Sequence, residues 1–349
     1  MIDFRIQKKL GDFSLDCQAK TVSRRIGILG ASGCGKSMTL RCLAGIERPD
    51  SGYIRLEDKT VYSSADRCFV TPQKRRVGYL FQHYALFPTM TVEQNIGMGL
   101  RMAKMEKTVR VQEMIEKFQL KGLEKKLPGE LSGGQQQRTA LARIMAYEPE
   151  VILLDEPFSA LDAFLKDRLQ QELMEMLEDY KGTVILVSHS RDEIYRFSEE
   201  LFVMADGHIL CQGKTKEVFA DPKVKETARL TGCKNIAEAV KKTAHELEIP
   251  GWGTTLSLAQ EIPEDISFAG IRAHDFVPVW GERRENCIRV MAGTEADLPF
   301  EKKYFLKTTG TQTEELCWFV QREQLRETEE KGLPEYLQIP EEKLLLLRK

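Results

Sequence analysis

Gly30-Ala31-Ser32-Gly33-Cys34-Gly35-Lys36-Ser37 has the residue types and spacing to hold a polyphosphate. Its glycines let successive backbone N–H groups curl around a β-phosphate, Lys36 reaches the β and γ oxygens, and Ser37 offers a hydroxyl to Mg²⁺. Downstream, the aliphatic run 151–154 delivers two carboxylates, Asp155 and Glu156. The first suits a Mg²⁺ partner, directly or through water; the second suits a general base that polarises an attacking water. His189 follows the apolar run 183–187 and, as a neutral imidazole, would hold water and Glu156 in line with the γ-phosphate. Gln82, after the run 77–81, is a neutral side chain able to touch Mg²⁺ or water. Together these groups describe hydrolysis of a nucleoside triphosphate.

A second anion receptor lies between the loop and the carboxylates. In Leu131-Ser132-Gly133-Gly134-Gln135 a Ser-Gly-Gly opens a helix, presenting free N–H groups and one hydroxyl at the positive end of the helix dipole. Two receptors far apart in one chain imply that two copies pair head to tail, each closing the other's site.

These residues need a scaffold that gathers them. The runs 25–29, 77–81, 151–154 and 183–187 read as strands alternating with helical stretches, the pattern of an α/β fold with a mostly parallel sheet covered by helices. Such a sheet collects ligands at the carboxyl ends of its strands. Over 161–180, Leu161, Leu165, Leu169, Leu173 and Leu177 recur every four positions, predicting an amphipathic helix whose stripe packs on the core. The stretch 112–120 is similar but shorter, and Pro128-Gly129 breaks the chain just before the Ser-Gly-Gly element.

After about residue 230 the character changes. The pattern places an ATPase domain over 1–230 and a smaller β-rich domain over 232–349, the latter opening with a charged helix at 236–247 and continuing through strands at 266–271 and 276–280. All three tryptophans (Trp252, Trp280, Trp318) fall in this second part.

The bulk numbers exclude some classes. At 349 residues, 42% hydrophobic, 30% charged and net charge −2, the chain has no basic footprint for a nucleic-acid backbone. No apolar run of about 18 residues or more predicts a transmembrane helix, and the N-terminus shows no signal-peptide core. The eight cysteines are scattered without metal-ligand spacing and read as free thiols in a reducing compartment. Cys34 is a special case: inside the phosphate loop and beside Lys36, its thiol is expected to have a depressed pKa and to react readily, the alternative being a silent buried thiol.

In this order the motifs resemble the nucleotide-binding subunits of ATP-binding-cassette transporters over about residues 1–230. Gly30 to Ser37 with Met38 looks like Walker A, Gln82 like the Q-loop, and Leu131 to Gln135 like the signature motif. Val151 to Glu156 looks like Walker B, Ser159-Ala160-Leu161-Asp162 like the D-loop, and His189 like the switch histidine. The resemblance implies ATP and Mg²⁺ as cofactors, with ATP between Walker A of one protomer (Gly30, Ser32, Gly33, Cys34, Gly35, Lys36, Ser37, Met38) and Ser132, Gly133, Gly134 and Gln135 of the other, with Asp162 alongside. Ser37, Asp155 and Gln82 would face the metal. It also implies an adenine-stacking aromatic before Walker A, for which Phe13 is the candidate, a core phenylalanine being the equal alternative. Ser190 stands where importers often have Asp.

Tyr84-Ala85-Leu86-Phe87-Pro88 and Leu161-Asp162-Ala163 look like the importer branch. The tail is similar to the oligomer-binding-like regulatory domain of oxyanion importers. Lys9 to Phe13, Thr231 to Ile236 and Gly270 to Ala273 most resemble molybdate-type ATPases and their sulfate relatives. The expected partners are a second copy, a transmembrane permease at the cytoplasmic face of the plasma membrane and, indirectly, an extracytoplasmic solute-binding protein. The cargo stays open among molybdate, tungstate, sulfate, another anion, a metal ion, a phosphonate, a sugar or a polyamine. A cassette ATPase acting on nucleic acid or the ribosome would show coiled-coil insertions or two cassettes, and neither is visible. A sensor without hydrolysis is opposed by the set Asp155, Glu156 and His189.

Overall fold

Apolar alternation and phosphate-loop glycines lay out the first half of the chain. A computed structural model describes residues 1–159, 163–311 and 315–349, with backbone alone over 163–165. Contacts divide it into Met1–Lys216 and Glu217–Lys349.

The first unit opens with strands β1 (Ile2–Leu10) and β2 (Phe13–Thr21), then β3 (Arg25–Gly30) and helix α1 (Lys36–Ala44). Three short strands come next, β4 (Ser51–Leu56), β5 (Lys59–Ser63) and β6 (Cys68–Phe69), before β7 (Val77–Leu80). Helices α2 (Val92–Gly97), α3 (Lys104–Lys117) and α4 (Gly133–Ala146) lead to β8 (Val151–Asp155). The unit ends with α5 (Ala163–Glu178), β9 (Thr183–Ser188), α6 (Arg191–Phe197), β10 (Glu200–Ala205) and β11 (His208–Lys214).

Two sheets result. One is antiparallel, in the order β2-β1-β4-β5-β6. The other runs β11-β10-β3-β9-β8-β7, with all pairs parallel except β10 with β11. Every residue of β8 and β9 is buried, as strands covered on both faces require. A shared core holds Phe4, Ile6 and Leu15 from the first sheet, Leu40 and Leu43 from α1, and Ile28, Leu153 and Val187 from the second. Each such burial contributes roughly 1.5–3 kcal/mol, so α1 is anchored from both sides. Leu169, Leu173 and Leu177 of α5 are buried as their spacing predicts; Leu161 lies outside the described residues.

The second unit is antiparallel β. Its five-stranded sheet orders Val277–Val279, Tyr336–Gln338, Cys287–Asp297, Glu301–Thr308 and Leu316–Gln321, and two three-stranded sheets accompany it. Trp318 stacks on Tyr304 at 5.1 Å within a core that includes Leu247, Trp252, Ile271 and Leu337.

Two expectations change. The charged helix at 236–247 is not formed: Asn235–Glu238 pairs with Phe268–Ile271, and Glu246–Ile249 pairs with Thr254–Ser257. The Asn235 side chain donates to the carbonyls of Ile271 and Cys317 and accepts from Cys317 N–H, while Thr243 Oγ1 caps a turn by accepting from His245 and Glu246. Tertiary pairing and turn chemistry thus override the helix propensity of this Ala/Glu/Lys-rich stretch. The division also falls before residue 230, because Lys225–Leu230 belongs with the second unit: Ala228 and Cys233 pack against Leu345 and Leu347, and Lys225 N–H bonds the Arg348 carbonyl.

Candidate active site

Four parallel neighbours, β3, β9, β8 and β7, bring their carboxyl ends to one edge of the sheet. Leu29 pairs with Ser188, Val187 with Asp155, and Leu154 with Leu80, so the segments leaving these strand ends lie side by side. Strands lie about 4.8 Å apart, which is why residues far apart in sequence can share one phosphate.

After β3 the chain enters the phosphate loop. Gly35 (φ 106°) caps α1 in a left-handed conformation that side chains rarely tolerate, and a Cβ on Gly30 would meet the Met204 carbonyl at 2.3 Å. No side chain caps α1 and no acid lies in its first turn, so its N-terminal N–H groups stay available to an anion. Lys36 is 4% exposed; its ammonium donates to the carbonyls of Gly30 and Ala31 at 2.9 Å each and lies 3.8 Å from Glu156 Oε1. The loop therefore holds its own cation in place. Ala31, Ser32 and Gly33 are exposed, and Met38 is half-buried against the core.

Asp155 is buried, with both oxygens engaged: Ser37 Oγ donates to Oδ1 at 2.7 Å and the Tyr79 hydroxyl donates to Oδ2 at 2.8 Å. Glu156 comes next in a left-handed conformation (φ 47°), its N–H bonded to the Val187 carbonyl, which turns the carboxylate off the strand. Its Oε2 lies 3.3 Å from Nδ1 of His189, which is half exposed. Ser190 does not form an ion pair there; its hydroxyl caps α6 by accepting from Glu193 N–H. Gln82 is exposed at the end of β7.

Ser132 to Gln135 stand apart. Ser132 caps α4: its Oγ accepts from Gln135 N–H at 3.3 Å, and Gln135 Oε1 accepts from Ser132 N–H at 2.9 Å. Among the described hydrogen bonds the Ser132 hydroxyl donates none. Ser132 and Gly133 are exposed, whereas Gly134 is buried where a Cβ would meet Leu169 at 2.9 Å. Among the described residues no hydrogen bond or ion pair joins this segment to Lys36, Asp155, Glu156 or His189. Asp162 lies outside the described residues.

Cys34 requires a correction. Its side chain is buried under the loop, and burial pushes the thiol pKa up, outweighing the lowering by Lys36. Phe13 is half-buried against the core, its ring close to Gly35; both expectations for it remain compatible with that position. Sequence reasoning missed Tyr79, whose signal is a polar-tipped aromatic in a buried strand beside the one carrying Asp155. It also missed Arg143 on α4, whose guanidinium donates to the carbonyls of Tyr84 and Ala85.

The residues 10–159 match the family model described as ABC transporter. Among curated proteins, the chain is 38% identical over 262 residues to the sulfate/thiosulfate import ATP-binding protein CysA 2 of Chromobacterium violaceum, covering 74% of this chain and 69% of that protein. It is 41% identical to the putrescine transport ATP-binding protein PotG of Escherichia coli, covering 64% of this chain and 60% of that one, which is under two thirds of that relative's length. It is 40% identical to a probable sulfate/thiosulfate import ATP-binding protein CysA of Chlorella vulgaris, covering 62% and 92%. Among solved structures, the dimeric bacterial ABC transporter cassette MJ0796 matches at 28% identity and TM-score 0.51, over 62% of this chain and 99% of that one. The cbiO1 protein of Clostridium perfringens, part of the cbiONQ complex, matches at 28% and TM-score 0.55, over 65% and 92%.

Proposed function

On the premise that this chain belongs to the ATP-binding-cassette transporter family as one of its ATPases, we propose that it is the energy-coupling subunit of an importer, two copies closing head to tail around MgATP against a transmembrane permease. The observation that carries this reading is the asymmetry of the site. Lys36, Ser37, Asp155, Glu156 and His189 converge on one sheet edge, while Ser132 and Gly133 are exposed and, among the described residues, joined to none of them by a hydrogen bond or ion pair; in this reading they receive the phosphate held by a partner copy. Among the described residues no helix is long and apolar enough to cross a membrane, so the span falls to another subunit in this reading.

The donor set fits Mg²⁺: a buried carboxylate and a hydroxyl already 2.7 Å apart are hard oxygen ligands. Ser37 and Asp155 would hold the ion, with Gln82 as a further oxygen; bound there it would neutralise charge on the β- and γ-phosphate oxygens. Lys36 exchanges its two loop carbonyls for phosphate oxygens. Glu156 accepts the proton of the attacking water, and His189 orients that carboxylate. Dimer closure by nucleotide and opening after hydrolysis supply the differential affinity that drives a permease.

For the cargo, the relatives named for sulfate and thiosulfate support a small oxyanion, with molybdate as a narrower option carried only by short stretches of sequence. A polyamine is the second reading: the putrescine relative favours it, and the second unit carries more Asp and Glu than Lys and Arg. In the oxyanion reading the second unit binds the imported solute and restrains transport.

Sedimentation of Glu156→Gln with MgATP tests the sandwich: a dimer is expected, and a monomer at saturating MgATP would reject it. Titration of sulfate, molybdate and putrescine against tryptophan emission, which arises wholly from the second unit, tests the cargo; a response to putrescine alone would replace the oxyanion reading.

A further inference from the structure

We infer that Arg143 is a positioning residue that fastens the loop after Gln82 to α4, so that the helix beginning at Ser132 and the loop beginning at Gln82 move as one piece. This rests on the reading of Gln82 as a group facing metal and phosphate. The observations are local and independent of that reading.

Tyr84 (φ 58°) and Ala85 (φ 45°) are consecutive non-glycine residues in left-handed conformation, a pairing that persists only where the surroundings hold it. Such a pair turns both carbonyls to the same side. The Arg143 fork meets them there: Nη1 donates to the Ala85 carbonyl at 2.7 Å and Nη2 to the Tyr84 carbonyl at 2.9 Å. Among the described hydrogen bonds, no other donor reaches either carbonyl. The guanidinium also lies over the Phe87 ring, 5.8 Å from its centroid. A planar fork serves two carbonyls at once, which a lysine ammonium on a flexible stem does less well.

The far end of the same loop is held separately. Asn95, fully buried on α2, accepts from Phe87 N–H at 2.8 Å and donates to the carbonyls of Phe87, Met90 and Thr91. Gln82 and His83, by contrast, are exposed. Residues 84–91 are thus tied to α2 and α4, and Gln82 is their exposed link to β7. Arg143 sits roughly 16 Å along α4 from Ser132, since a helix rises about 1.5 Å per residue. One rigid helix therefore carries the exposed receptor for a partner's phosphate at one end and the clamp on the Gln82 loop at the other.

The test uses the full chain with Arg143→Met, which keeps an apolar stem, and Arg143→Lys. Hydrogen–deuterium exchange should show residues 83–90 losing protection in Arg143→Met while α4 keeps its own, with Arg143→Lys intermediate. Half-saturating ATP should stay within twofold, because Arg143 bonds the Tyr84 and Ala85 carbonyls and not the phosphate loop, while kcat falls by about tenfold to a hundredfold, as misplacement of a positioned group does. Combining Arg143→Met with Gln82→Ala should be no worse than Gln82→Ala alone, the signature of two residues acting through one path. Unchanged exchange at 83–90, loss of α4 protection in both variants, or additive kinetic losses would each overturn the inference. If Gln82→Ala alone turns over like the parent, it is the role given to Gln82 that fails, and the exchange data still decide the clamp.

Discussion

Nδ1 of His189 lies 3.3 Å from Oε2 of Glu156, although the two are 33 residues apart. Parallel pairing of β8 with β9 brings the two segments side by side, and Lys36 Nζ lies 3.8 Å from the other carboxylate oxygen, Oε1.

If Glu156 accepts the proton of the attacking water, Glu156→Gln should bind MgATP and lose about 10²- to 10⁴-fold in turnover. His189→Ala should lose less with Glu156 intact and almost nothing further in the Glu156→Gln background. Phosphate release under single-turnover conditions reads this directly. Normal turnover by Glu156→Gln removes the carboxylate from its role.

Tyr79 makes a second expectation. Its hydroxyl is the donor to Asp155 Oδ2, and burial together with the Asp155 charge raises its pKa, so it stays protonated. Tyr79→Phe leaves a buried carboxylate oxygen short of a donor and should cost about 1–3 kcal/mol in chemical denaturation. Half-saturating Mg²⁺ should rise by about tenfold with kcat nearly kept, since an outer partner orients the ligand. An unchanged Mg²⁺ requirement would reduce Tyr79 to a packing residue.

The thiol of Cys34 is expected to resist alkylation near neutral pH. Its pKa is raised by burial, so its thiolate fraction at any pH is below that of an ordinary cysteine, and labelling should accelerate only as pH climbs above the ordinary thiol range. The partly exposed Cys68, Cys211 and Cys317 should label before it. Mass-spectrometric mapping at pH 7 that finds Cys34 modified ahead of Cys68 would contradict this.

Cys17 and Cys42 set an alkaline limit to stability. Burial raises each thiol from 9.0 to about 12, so the folded chain keeps a proton that the unfolded chain releases. Their contribution is complete below pH 9 and declines as pH rises toward 12, by about 1 kcal/mol per thiol at pH 10. Tyrosines, with an ordinary value of 10.0, enter later. Denaturation midpoints between pH 8 and 10 should fall for the parent and fall less steeply for Cys42→Ala; equal slopes would remove Cys42 from the account.

Much of the site was legible because its signals are local. The strand-loop-helix around Gly30 to Ser37, the aliphatic run before Asp155 and the Ser-Gly-Gly at a helix start are each written in adjacent residues, and α1, β8 and α4 form there. The stretch 236–247 misled because its composition favours a helix, whereas its partners, Phe268–Ile271 and Thr254–Ser257, lie far along the chain. Arg143 gave no local signal and Tyr79 only that of a phenol in an apolar strand, since a guanidinium or phenol takes its meaning from whichever carbonyl or carboxylate it meets.

Residue types alone determined the chemistry of this chain: a phosphate loop, a metal-side carboxylate, a base and a histidine announce nucleotide hydrolysis whatever their arrangement. Only the folded molecule decided that Lys36 rests on its own loop, that both oxygens of Asp155 are engaged, and that burial raises the Cys34 thiol pKa where its neighbours promised a lowered one. The physical reason is that proximity in sequence specifies which groups are present, whereas burial and cross-strand neighbours set their charge state and their partners.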